Sequence, residues 1–183
     1  MRIPLRPALL SLAVAAGCHT AAGVHGRAGP SGLEDGNIVA IVLAANNTDL
    51  SYARLVPGRA SSAEVMAFAA RMTTDHTLLN ARAVDIALRN GIKAEDDATS
   101  LAFRERSAAR RDLLRELTGS RFDFTYTENE IQYHTELLTV LDGALIPGSR
   151  SAELKQFVVA LRPAVKAHLA HAEQVRGTLA ARK

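Results

Sequence analysis

From residue 33 onward, apolar residues recur at steps of three and four, which is the spacing of one helical face. No useful stretch alternates apolar and polar as a half-buried strand would. The first predicted helix runs from Leu33 to Val56 and stops at Pro57-Gly58. The second opens at Ser61, with Glu64 completing a capping box, and runs to Asn90 with Gly91 as its C-terminal cap. A charge-rich third segment spans Asp97 to Thr118. The fourth runs from Ser120 to Leu145 and is broken by Pro147-Gly148. The last runs from Ser151 to Ala181. Pro163 lies inside it and is predicted to bend it without ending it, because the apolar stripe keeps its register on both sides. Two long helical hairpins joined by a connector helix predict an all-α four-helix bundle, one domain over residues 33–183.

The seam of each long helix carries one ionisable residue. The first reads Ile38, Val42, Ala45, Asp49, Tyr52 and Val56, and the second carries His76 between Met72 and Leu79. The fourth reads Phe124, Thr127, Ile131, His134 and Leu138, and the last places His168 between Val165 and Ala172. Carboxylate and imidazole are both competent metal ligands, and neither is buried cheaply without a partner. His76 and His134 lie at similar distances from their helix starts, so they are predicted to face one another at mid-bundle. Counting from the turns puts Asp49 and His168 on a separate tier, about 10 Å away. A one-turn error merges the two tiers. Glu130, one turn before His134, and His171, one turn after His168, are further candidates. Two protonated imidazoles side by side in an interior would repel, so the pKa values of His76 and His134 are both predicted to fall. Two readings stay open: a site for a divalent transition metal (zinc, copper, iron or manganese), or a buried hydrogen-bond network that fixes register.

The N-terminal segment reads differently. Arg2 and Arg6 precede an apolar run from Ala8 to Ala16 that ends at Gly17-Cys18. That is the layout of a secretory signal, and the run is too short to span a bilayer. Cys18 is the only cysteine, so no internal disulfide forms. Its position after small residues resembles the bacterial lipobox; an ordinary signal peptide with an incidental cysteine is the alternative. Residues 1–17 are expected to be a lipoprotein signal peptide, Cys18 the acylated residue, and 18–32 a glycine-rich tether. The expected location is the periplasm, anchored to the outer or inner membrane through Cys18.

Composition narrows the function. Aromatics are 4% with no Trp, which disfavours a β-sandwich. Setting Arg2 and Arg6 aside leaves 20 basic against 19 acidic residues, too little excess for a nucleic-acid partner. The connector's Arg104, Arg106, Arg110, Arg111 and Arg115 alternate with Glu105, Asp112 and Glu116, which predicts a solvated, salt-bridged face. No phosphate loop, nucleophile elbow or nucleotide fingerprint occurs, so no catalytic residue is assigned. The seam histidines lack the Glu-x-x-His pairing of di-iron carboxylate bundles, which argues against a ferroxidase. The protein is expected to be an exported, anchored bundle, either a metal-binding module or a non-catalytic envelope structural or interaction protein whose partner is unknown.

Several strings bear on family. They are Asn46-Asn47-Thr48-Asp49, Val65-Met66-Ala67-Phe68-Ala69-Ala70-Arg71-Met72 with Asp75-His76, Gly119-Ser120-Arg121-Phe122-Asp123-Phe124-Thr125-Tyr126 followed by His134, and Leu161-Arg162-Pro163 followed by His168-Leu169. Over about Gly36 to Leu179 the chain resembles the bacterial domain-of-unknown-function 4142 family. The resemblance implies an exported protein with a ferritin-like bundle and carries no activity with it.

Overall fold

The computed structural model describes residues 32–182, and among them the regular structure is entirely helical. The expected signal peptide, Cys18 and the expected tether up to residue 31 lie outside the described residues. The helices are α1 (Asp35–Ala53), α2 (Ala63–Arg89), α3 (Ala98–Arg115) and α4 (Gly119–Val140). A π-helical turn at Leu141–Leu145 and the short α5 (Ile146–Gly148) lead to α6 (Ala152–Ala181). Proline is tolerated inside α6, which continues through Pro163.

α1 packs against α2 and α3, α4 against α6, and α2 against α6. Ion pairs fix the directions. Glu64 at the start of α2 meets Arg182 beyond the end of α6, and Arg89 at the end of α2 meets Glu153 at the start of α6, so these helices are antiparallel. The connector α3 begins beside the start of α1, where Glu95 N donates to Gly36 O at 3.0 Å. It ends beside the segment after α1, where the Arg59 guanidinium donates to the Arg115 and Leu117 carbonyls. It therefore runs the length of α1. The chains pass closely at Gly36, where a Cβ would lie 2.5 Å from the Lys93 carbonyl oxygen.

Clasped between α2 and α3, α1 has 13 of its 19 residues buried. The expected seams of α1, α2 and α6 are buried, with Leu79 and Leu179 only partly so. The α4 seam is a correction. Phe124, Ile131 and Leu138 lie at its margin, and the centre is Phe122, Tyr126, Glu130, Tyr133 and Leu137. Packing on α6 from one side and α3 from another turns α4 toward that second stripe.

The start of α2 is a second correction. Its N-cap is Ser62, whose hydroxyl accepts from Val65 N at 3.4 Å. Ser61 and Ser62 give their backbone N–H groups to the buried Asp123 carboxylate, and Ser61 adds its hydroxyl at 2.5 Å. Asp123 belongs to the first turn of α4, so one helix caps another. Asp35 does the same for α6, accepting from Arg150 N and Ser151 N at 2.9 Å each.

Candidate metal centre

α1, α2, α4 and α6 each deliver one seam residue to the same place. His76 and His134 face one another with ring centroids 6.0 Å apart, as their heights predicted. His168 joins them, 5.3 Å from His76 and 5.4 Å from His134. Asp49 lies among the rings: its Oδ2 is 3.2 Å from His76 Nε2 and 3.4 Å from His134 Nε2. The two expected tiers are thus one site.

The count from the turns failed because it treated the turns as tight. His168 is 16 residues past the true start of α6 at Ala152, close to the 14 that separate His134 from Gly148. Asp49 lies 4 residues from the end of α1, whereas His76 lies 13 past the start of α2. α2 therefore overshoots α1 by about 13 Å at 1.5 Å per residue, and the segment after Ala53 makes the climb.

Each imidazole has one nitrogen turned outward to an acceptor. His76 Nδ1 lies 2.9 Å from Asn46 Oδ1, and His134 Nδ1 donates to the Glu130 carbonyl at 2.8 Å. His168 Nε2 donates to Asp75 Oδ2 at 2.9 Å. An outward N–H fixes the tautomer and points the other nitrogen inward. Those inner atoms, His76 Nε2, His134 Nε2 and His168 Nδ1, are buried without a hydrogen-bond partner, as are both oxygens of Asp49. The short His76–Asp49 approach is a Coulombic contact whose atoms are not aligned as a hydrogen bond. One ligand atom from each of the three histidines lies within 4.8 Å of the others, and the same holds for Asp49, Glu130 and His134.

Glu130, the fifth predicted residue, belongs to this centre: its Oε2 is 3.6 Å from His134 Nδ1, and neither carboxyl oxygen has a hydrogen-bond partner. His171 stands apart, with its ring 5.1 Å from that of Phe68. Sequence reasoning missed Asn46, although it sits one turn before Asp49 on the same face. Asp75, the sequence neighbour of His76, serves His168 instead. Tyr126, with a buried and unpartnered hydroxyl, was missed as well. Tyr133 donates to the Ala45 carbonyl at 2.6 Å and packs its ring edge-on against His134, 5.2 Å away. Leu79, Leu137, Leu141 and Leu161 line a small apolar cavity that ends on Asn46 and His76.

The electrostatics follow from burial and from the one charge at the centre. Burial lowers the pKa of His134 to about 4, more than nearby Asp49 restores. His168 is lowered for the same reason. His76 corrects the expectation that both facing histidines fall: burial depresses it, but the close approach and charge of Asp49, with the charge of Asp75 added, together raise it. Burial pushes the Asp49 carboxyl up, yet the surrounding imidazoles hold it below its ordinary value. Burial and then the charge of Asp49 push Glu130 well above the usual carboxylate range. Asp49 is thus the charged group of the centre, and His76 is the imidazole that most readily takes a proton beside it.

A family model described as a domain of unknown function, DUF4142, matches residues 20–175. The chain is a member of the DUF4142 family. No curated protein and no solved structure matches this DUF4142 chain. The connector of the DUF4142 domain carries one pair with an interleaved acid, Arg115 with Asp112 at 2.9 Å, while Arg104 pairs with Asp96 before the helix at 2.6 Å. Arg106 and Arg110 reach across to Glu136 of α4 instead of the interleaved acids.

Proposed function

We propose that this DUF4142 protein is an exported, lipid-anchored, ferritin-like four-helix bundle that holds one divalent transition-metal ion among His76, His134, His168 and Asp49. One observation carries the reading. Two imidazoles bonded outward, His76 and His134, aim unpartnered nitrogens at a buried, unpartnered carboxylate, and His168 brings a third unpartnered inner nitrogen to the same cluster. Outer acceptors of this kind are what orient metal-ligating histidines. The 3.2 and 3.4 Å separations between ligand atoms also fit the edge of a tetrahedron with bonds of about 2.0 Å, roughly 3.3 Å.

Asp49 offsets one charge of a divalent ion, and Glu130, protonated in the metal-free site, supplies a second negative charge if the ion displaces its proton. Three imidazoles with one carboxylate suit zinc, copper or iron better than manganese. The connector running the length of α1 supports the ferritin-like arrangement. The alternative, an envelope structural protein with a buried hydrogen-bond network, leaves these inner atoms without the partners such a network supplies. Export and anchoring rest on the signal-like segment ending at Cys18. Among the described residues no helix is long and apolar enough to cross a membrane.

The test is metal analysis of the protein purified without an affinity tag. About one divalent ion per chain is expected, with His76→Leu and His134→Leu each abolishing it. A parent protein that stays metal-free after incubation with zinc, copper and iron salts overturns the reading.

A further inference from the structure

We infer that Asp75 is the port through which a cation reaches the buried histidines, with His168 as the wall between solvent and site. The inference rests on the metal-binding reading above and adds a route to it. A route has to start at a donor that solvent reaches, and Asp49, Glu130, His76 and His134 are sealed. Two outer partners are sealed with them, because His76 is held by buried Asn46 and His134 by the carbonyl of buried Glu130.

The third is different. The Asp75 side chain is 34% exposed and bonds a histidine whose side chain is 3% exposed. The His168 ring thus has Nε2 on a surface carboxylate and Nδ1 facing the core. It spans the seam between α2 and α6. Arg71, on the same helix and half exposed, lies 3.3 Å from Asp75 Oδ2 and competes with any arriving cation. Asp75 captures the cation, Arg71 yields, and His168 swings to admit it and then becomes its ligand.

Asp75→Asn separates capture from positioning, since an amide oxygen still accepts from His168 Nε2 and only the charge is lost. Cobalt(II) is the probe: its uptake by metal-free full-length protein is followed by stopped-flow absorbance and its final stoichiometry by metal analysis. Asp75→Asn is expected to slow uptake about 10-fold or more at low salt, with stoichiometry unchanged, because steering by a local charge is worth that much in rate. Arg71→Gln is expected to speed it. Uptake by Asp75→Asn at the parental rate, or an Asn variant that binds no cobalt, overturns the port and leaves the site standing. A parent that takes up no cobalt overturns the metal reading and the port with it.

Discussion

Protonating His134 means placing a charge in a fully buried site beside two other imidazoles, where burial penalises it more than Asp49 repays. With a folded pKa of about 4 against about 6.5 unfolded, His134 contributes stability that is fully present above pH 6.5 and declines as pH falls toward 4. His76 works in the opposite sense: its raised pKa contributes stability present below 6.5 and lost as pH rises through the folded value. Comparing variants isolates the first term. In chelator-treated protein, His134→Leu is expected to lose about 2 kcal/mol less than the parent between pH 7 and pH 5, read from urea midpoints. Equal losses in parent and variant would show that His134 is not held neutral. The four residues of the buried cluster were legible because each polar side chain interrupts an apolar stripe at a seam position. Asn46 and Tyr126 were not. An amide or a phenol one turn from a seam residue looks no different from a boundary residue until the neighbouring helix is in place.

Capping across helices sets how α2 and α6 begin. Asp123 is buried and accepts from three donors of Ser61 and Ser62, so Asp123→Ala leaves three groups unsatisfied at the start of α2. A loss of about 3 kcal/mol is expected by chemical denaturation, in line with hydrogen bonds to a charged acceptor. Asp35→Ala removes a more exposed cap from α6 and is expected to cost about 1 kcal/mol. If Asp123→Ala costs no more than Asp35→Ala, the buried cap is not what fixes α2. Helix positions and approximate ends were readable from period and punctuation. The stagger of α2 past α1 was not, because nothing in Arg54 to Ser62 announces a climbing segment instead of a turn at Pro57-Gly58. The rotation of α4 was hidden for a related reason. Both Phe124-Ile131-Leu138 and Phe122-Tyr126-Tyr133-Leu137 are apolar stripes, and only the position of α3 chooses between them.

At the scale of the molecule, the reading of Cys18 as an acylated anchor is checked by fractionation. Cys18→Ser is expected to move the protein from the membrane pellet to the soluble fraction, since two or more buried acyl chains are needed for stable anchoring. A serine variant that stays with the membrane to the parental extent would remove the anchor from the account.

The enclosure of α1 has a consequence in time. The segment Ile38-Val39-Ala40-Ile41-Val42 is emerging from the ribosome while both of its covering helices are still unmade, and α3, which shields one whole side, follows only after α2 is complete. Until then the nascent chain displays its stickiest surface, and such surfaces invite misassociation. The contacts that finally cover α1 join residues far apart in sequence, which places them late in folding and slows it. The soluble life of the growing chain therefore depends on the polar connector arriving, and a polypeptide halted before Arg115 is a natural client for a chaperone that grips apolar helices.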